Sequence, residues 1–183
     1  MIHKSNFYIV TGGPGVGKTT LLEELQRRGC RYVPEVARNI IKEQMETGGN
    51  ALPWKNSRLY SDRMLSLSIR DFIRYSSENK LLFFDRGIPD TYGYEVLMKF
   101  NRSELLEKTV VEYRYNRIVF ILPPWKEIYQ KDEERKQDFE EAVQTFNIMF
   151  SVYKELGYIP IEVPCLPISE RADFVLDKIG VNR

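Results

Sequence analysis

Eight consecutive residues constrain this chain more than any others. Gly12-Gly13-Pro14-Gly15-Val16-Gly17-Lys18-Thr19 fits the pattern G-x-x-x-x-G-K-[ST] at every fixed position. Glycines let a backbone curl until several N–H groups point at one anion. A helix that starts near Lys18 adds its positive end at the same point. The Lys18 ammonium then reaches the β- and γ-phosphates of a triphosphate, and the Thr19 hydroxyl is a ligand for Mg²⁺. The run therefore predicts a cradle for a magnesium–nucleoside triphosphate, ATP or GTP, formed by Gly13, Pro14, Gly15, Val16, Gly17, Lys18, Thr19 and Thr20. Its context agrees. Phe7-Tyr8-Ile9-Val10 ahead of it is nearly all apolar, as a strand buried on both faces is. Behind it Leu21, Leu22 and Leu25 share one side of a helix that Gly29 stops.

The rest of the chain repeats this alternation. Arg31-Tyr32-Val33 reads as a short strand, followed by a helix over about 36–45 and a loop at 48–54. A long helix then places Leu65, Ile69, Phe72 and Ile73 on one face. Leu81-Leu82-Phe83-Phe84 and Ile118-Val119-Phe120-Ile121-Leu122 are two more fully apolar strands, the second stopped by Pro123-Pro124. Helical residues between them run to Tyr113 with a break near Asn101. A charged stretch at 126–138 leads into an amphipathic helix with Phe139, Val143, Phe146, Phe150 and Tyr153 on one side and Gly157 at its end. Pro160 puts the last strand, 159–163, at a sheet edge, because proline cannot donate to a ladder. Ser169 is placed to cap a final helix whose Ala172, Val175, Leu176 and Ile179 face the core. The order βαβαα-βα-βα-βα predicts a parallel sheet with helices on both faces. With 183 residues, no repeat and no linker, one domain over 1–183 is expected.

Composition removes several kinds of chemistry. The net charge of +1 gives no general attraction to nucleic acid or a membrane surface. No apolar run reaches the 18 or so residues of a membrane span, and no signal peptide precedes the first strand. The only histidine, His3, sits at a start expected to be flexible, which argues against zinc enzymes and histidine-assisted hydrolases. Cys30 and Cys165 are too few for a disulfide framework or a metal site and suit a reducing cytoplasm.

Phosphoryl transfer also needs carboxylates at the ligand-facing ends of strands. Asp85 follows Leu81–Phe84 and is placed to hold Mg²⁺ through water, with Arg86 beside it to take a phosphoryl oxygen or a substrate group; the plainer alternative is a strand-end Asp that caps the next helix. Glu35 follows Val33-Pro34, and Arg38 lies one turn further on. A carboxylate there is placed to accept a proton from an attacking hydroxyl, or simply to form a surface ion pair with Arg38. Lys126, Lys131, Arg135 and Lys136, mixed with Glu127, Asp132, Glu133 and Glu134, form either a solvated helix face or a lid. A lid would bring Arg135 first, and Lys131 second, to the transferring group.

These residues resemble the phosphate-loop kinase superfamily. More closely, the chain is similar to the AAA_28-type ATPase/kinase-like family, which includes the ribosylnicotinamide kinase domain of NadR. The resemblance runs from about Phe7 to Ile179 and is carried by TGGPGVGKTTLL (11–22), PEVAR (34–38), LPW (52–54), FFDRGIPD (83–90) and PPWKEIYQKDEER (123–135). It implies a three-layer α/β/α P-loop NTPase fold with a five-stranded parallel sheet in the order 2-3-1-4-5 and a lid at about 123–138. It also implies Glu35 as general base and Asp85-Arg86 as the acidic–arginine pair, with the base of the nucleotide seated at 164–167. Arg38, Arg86 and Asp90 are then candidates for substrate binding, with helix capping also open to Asp90. Trp54 and Trp125 are family-like. The implied activity is that of a small-molecule or nucleoside-type kinase. The alternative is a nucleotide-hydrolysing switch without an acceptor. An acceptor-sized pocket lined by Glu35, Arg38, Arg86 and the long helix after Trp54 separates the two. A kinase acting on nucleic-acid ends would need a basic strip such as Arg63, Arg70 and Arg74, against the near-neutral charge.

Overall fold

A computed structural model of the chain describes residues 1–126 and 139–181. The first strand, β1 (Ile2–His3), pairs in parallel with β5 (Tyr113–Arg114), so His3 lies in a paired strand and not in a loose leader. The Lys4 backbone N–H extends this pairing to the Arg114 carbonyl at 2.8 Å, and the Lys4 ammonium donates to the carbonyls of Ser76 and Glu78.

The main sheet is built from β2 (Phe7–Gly12), β3 (Arg31–Val33), β4 (Leu82–Asp85), β6 (Ile118–Leu122) and β7 (Ile159–Glu162). All pairs are parallel, in the order β3-β4-β2-β6-β7. Counted along the chain within this sheet, that is 2-3-1-4-5. Pro160 does lie on an edge strand, where its missing N–H costs no ladder bond. Because every strand runs the same way, all five carboxyl ends reach one edge, the place where ligands bind in open α/β sheets.

Period-two alternation sends neighbouring residues of each strand to opposite layers. Phe7, Ile9, Phe84, Val119 and Ile121 pack on one side with residues of α3 (Ser57–Arg74), α4 (Ile88–Leu97), α5 (Glu104–Glu112) and α6 (Phe139–Glu155). Val10, Phe83 and Phe120 pack on the other with α1 (Lys18–Arg27) and α7 (Ile168–Lys178). Both faces are covered, which is why the strands read as unbroken apolar runs. Helix α2 (Val36–Thr47) joins α3 through Ala37, Ile40, Tyr60 and Met64. No helix among the described residues is long and apolar enough to cross a membrane, and Cys30 and Cys165 form no disulfide.

Three local expectations are corrected. In α3 Leu65 and Phe72 are buried, but Ile73 is half exposed, because it lies to one side of the buried stripe of Met64, Leu65, Ser68, Asp71 and Phe72. The buried face of α6 is Ala142, Thr145, Met149, Val152 and Tyr153, about one position round from the expected stripe. Val143 points outward while Phe146 and Phe150 flank the core. Ala142 lies beside the loop that follows β2: a Cβ added at Gly13 would lie 3.7–3.9 Å from it, in ordinary contact. Finally, Ser169 does not cap α7. The helix starts two residues earlier, after Pro167, and the Ser169 hydroxyl instead accepts from Arg28 at 2.8 Å. Arg28 also ion-pairs with Glu24 and Asp173, tying α1 to α7.

Candidate functional site

The loop between β2 and α1 takes backbone shapes that only glycine adopts freely. Gly15 and Gly17 have φ of 76° and 85°. Gly12 has a second reason to lack a side chain, since a Cβ there would lie 2.6 Å from the Leu122 carbonyl oxygen. Gly17 precedes α1, whose first residue is Lys18. The Lys18 ammonium donates to the carbonyls of Gly12 and Gly13 at 3.2 and 2.9 Å. Burial, and after it the nearby Arg86, push Lys18 down to about 8, against the pull of Asp85, Glu35 and Asp90. It stays protonated at neutral pH.

Arg86 stands just past β4 with φ 68°, a left-handed conformation that costs a non-glycine residue on the order of 1 kcal/mol or more. Its N–H bonds to the Val10 carbonyl at 3.0 Å, so the neighbouring strand holds the turn. The guanidinium lies between two carboxylates. Nε donates to Glu35 at 2.8 Å, and a terminal nitrogen donates to Asp90 at 3.3 Å. Burial works to lower Arg86, but Glu35, Asp90 and Asp85 together hold it above its ordinary value. Glu35 sits at the start of α2 and also faces the Arg38 guanidinium, at 3.5 Å. Burial pushes Glu35 up; Arg86, Lys18 and Arg38 outweigh this and leave it below the usual carboxylate range.

Asp90 has the densest bonding in the region. One oxygen accepts from the Gly87 N–H at 2.7 Å and from the Tyr153 hydroxyl at 2.6 Å; the other accepts from the Thr11 hydroxyl and from Arg86. Asp90 therefore caps α4, and it joins β2, the β4–α4 turn and α6 at one buried point. Thr11 and Tyr153 were not singled out by sequence as members of this cluster. The one available signal was a hydroxyl, Thr11, at the end of an otherwise apolar strand.

Asp85 pairs in register with Val10, two residues before the loop begins. Burial lifts its carboxyl to about 6, with Lys18 pulling the other way. Its Oδ1 is buried and has no hydrogen-bond partner among the described residues. An orphaned carboxylate oxygen within electrostatic reach of Lys18 fits Mg²⁺, a hard cation that takes oxygen donors and keeps waters. The described residues offer no cluster of three acidic, His or Cys side chains, so phosphate oxygens and waters would complete the shell.

Two spaces open on these residues. One, of about 510 Å³, is walled by Gly15, Lys18, Thr19 and Thr20 at one side and by Trp125, Leu166, Ile168 and Arg171 at the other. The second begins at Glu35 and Arg86. Its inner part, about 410 Å³, is lined by Trp54, Tyr60, Met64, Tyr94 and Met149, and its outer part, about 590 Å³, adds Lys18, Arg38 and Met45. Lys18 and Arg38 line both spaces. Lys126 is exposed, while residues 127–138 of the expected lid, Lys131, Arg135 and Lys136 among them, fall outside the described residues. The basic strip is partly neutralised: Arg63 bonds both oxygens of Glu43 at 3.0 Å and Arg70 pairs with Asp71 at 3.4 Å.

Residues 7–171 match the AAA_28 family model, described as an AAA domain. Among solved structures, NadR in complex with NR is similar over 97% of this chain and 52% of that chain, with TM-score 0.70 and 19% identity. Thymidylate kinase from Ehrlichia chaffeensis is similar over 97% of this chain and 100% of that one, with TM-score 0.62 and 15% identity. Shikimate kinase from Acinetobacter baumannii in complex with shikimate gives 97% and 94%, TM-score 0.57 and 16% identity. The chain thus spans about half the length of the NadR chain it resembles. No curated protein matches it. At these identities the solved structures establish the fold, and the matched family model establishes the membership: the chain belongs to the AAA_28 family, with a P-loop kinase-like fold.

Proposed function

We propose that the protein is a magnesium-dependent phosphotransferase that moves the γ-phosphoryl group of ATP, or GTP, to a hydroxyl of a small nucleoside-type acceptor. The observation that carries this reading is the meeting of two cavities at Lys18 and Arg38, one opening from the phosphate loop and one from Glu35 and Arg86. The second cavity has the size and the mostly apolar, aromatic wall of a small-molecule site. A nucleotide switch needs no such chamber beside its carboxylate, which favours transfer over plain hydrolysis.

In this reading the acceptor lies against Trp54, Tyr60 and Tyr94 with its hydroxyl towards Glu35. Glu35 is held ionised at neutral pH by Arg86 and Lys18, so it orients the hydroxyl and takes its proton as the new O–P bond forms. The bond from the γ-phosphorus to the bridging oxygen breaks, and the diphosphate leaves. Lys18, Arg86 and Arg135 offset the charge on the transferring group. Thr19 and Asp85 would hold Mg²⁺, which neutralises charge on the phosphate oxygens when bound. Asp90 acts by positioning Arg86.

The test is to incubate the protein with Mg²⁺, ATP or GTP, and a panel of nucleosides and related hydroxyl compounds. Mass spectrometry is expected to find one acceptor gaining a phosphoryl group in step with diphosphate release. Diphosphate release with no phosphorylated product across the panel would leave the switch reading in its place.

A further inference from the structure

Ser68, Thr91 and Thr145 have no part in the chemistry described above. They come from three helices, α3, α4 and α6, and all three are buried, at 8%, 2% and 9% exposure. Each sits on the core-facing stripe of its helix: Ser68 one turn after Met64, Thr91 one turn after Ile88, and Thr145 one turn before Met149. All three line the inner chamber of about 410 Å³ that begins at Glu35 and Arg86. A serine or threonine inside a helix can satisfy its hydroxyl on the carbonyl four residues back. Thr47, Ser66 and Thr109 do so, at 2.8, 2.8 and 2.6 Å. Among the described residues, Ser68, Thr91 and Thr145 make no side-chain hydrogen bond, and none of their hydroxyls is sealed inside the protein. The Tyr94 hydroxyl, by contrast, is sealed and without a partner, so it cannot meet a ligand.

A hydroxyl largely withdrawn from water and left without a protein partner opposes folding, and alanine or valine would fill the same positions without that cost. Three such groups turned into one chamber are explained when its occupant supplies their partners. The chemistry of the wall narrows the occupant. A hydroxyl donates one hydrogen bond, accepts others and carries no charge. Around the three hydroxyls the wall is apolar, with Ile41, Met64, Leu97 and Met149. Its one cation among the described residues, Arg86, already lies between Glu35 and Asp90. A carboxylate or phosphate pressed against this wall would find no free counter-charge and would face two acids. An uncharged ring whose edge carries both donors and acceptors satisfies the hydroxyls and the apolar surface together.

We infer that Ser68, Thr91 and Thr145 select the acceptor: their hydroxyls hydrogen-bond the edge of an uncharged ring that both donates and accepts, and they reject a ring that turns an anionic group towards them. The inference rests on the reading of this chamber as the acceptor site. Glu35 then decides where the phosphoryl group goes, and the three hydroxyls decide which molecule is presented to it.

Titration calorimetry on the full chain tests it. The probes are uridine, cytidine, adenosine and inosine as uncharged rings, methyl riboside as the sugar without a base, and orotidine and shikimate, whose rings carry a carboxylate. One nucleoside is expected to bind about tenfold or more tighter than methyl riboside, orotidine and shikimate. Ser68→Ala, Thr91→Val and Thr145→Val are each expected to weaken that nucleoside about three- to thirtyfold, while Mg–ATP affinity stays within about twofold. Thr91→Ser and Thr145→Ser keep the hydroxyl and are expected to hold the nucleoside within about threefold. If one variant does not fold, the other positions carry the same comparison. Orotidine or shikimate binding tighter than every uncharged nucleoside would overturn the inference, and so would equal losses in the valine and serine variants, which would assign the effect to packing. A nucleoside bound equally by wild type and all hydroxyl-free variants removes the inference alone. Wild-type protein that binds Mg–ATP and none of the nucleosides removes the acceptor reading and the inference with it.

Discussion

The two ends of this site, proposed here for donor and acceptor, are built differently. At the donor end the key groups are consecutive in the chain: Gly12 to Thr19 form a turn between one strand and one helix, with positive φ at Gly12, Gly15 and Gly17. In the proposed reading the backbone does the binding work there, and Lys18 supplies the charge. At the acceptor end the key groups come from far apart. Arg86 meets Glu35 across 51 positions, and Asp90 meets Thr11 across 79 and Tyr153 across 63. A backbone cradle is encoded in one short word, while a side-chain cluster exists only once the sheet has been assembled. The two ends should therefore fail in different ways when altered.

The largest effect is expected at the donor end. Lys18→Met should lower kcat/KM about a thousandfold by removing charge that faces the transferring phosphoryl group, with an unfolding midpoint close to wild type. Glu35→Gln should come next. Steady-state kinetics are expected to show kcat down about a hundredfold or more, while nucleotide affinity from calorimetry stays within about twofold. Nucleotide affinity that falls along with kcat would erase the division between the two ends. Asp90→Asn should behave as an acceptor-end lesion of a third kind. It weakens the hold on Arg86, so kcat is expected to drop about tenfold, and denaturant melts should show a loss of about 1–3 kcal/mol from the buried network.

Asp85, within electrostatic reach of Lys18 and Glu35, adds a pH dependence. Burial lifts it to about 6, against an ordinary value of 3.8. Between those values the folded state holds more protons than the unfolded chain, so this group's contribution to stability falls as pH rises from about 4 to about 6. Asp85→Asn should accordingly raise the thermal midpoint at pH 7.5, with the gain vanishing near pH 4. In the wild type, Mg–nucleotide affinity should weaken as pH drops through about 6 and Asp85 takes up its proton. A gain that grows on acidification would show the sign to be wrong. The smallest change is expected from Tyr153→Phe, which removes one bond to Asp90 and should cost about 1 kcal/mol in a melt with little change in kcat.

Legibility follows the same division. The strands were readable because both faces of the sheet are buried, so Phe7 to Val10, Leu82 to Phe84 and Ile118 to Leu122 carry apolar residues without a break. Pro160 marked an edge for a backbone reason. What misled were patterns that packing can rotate. The apolar stripe through Val143 and Phe146 suggested one face of α6, but the helix turns Ala142, Thr145, Met149 and Val152 inward, and Ala142 lies beside Gly13. Strands β1 and β5, two residues each, are too short to leave a period. Asp90 was visible as part of FFDRGIPD, yet nothing local distinguished a cap, a substrate ligand and a buried junction. Ser68, Thr91 and Thr145 were passed over because a lone hydroxyl in a helix has no meaning until three helices meet around one chamber.

By itself, the amino-acid sequence determined the phosphate loop, the alternation of buried strands and helices, and the positions of Glu35 and Asp85-Arg86 at strand ends. These depend on φ, on hydrophobic period and on chain order, all of which act over a few residues. The resemblance, and not the residues alone, supplied the strand order. Only the tertiary structure decided that Arg86 lies between Glu35 and Asp90, that two cavities meet at Lys18 and Arg38, and that Ser68, Thr91 and Thr145 line one chamber. Side chains more than fifty positions apart become partners only when parallel strands bring their carboxyl ends to one edge.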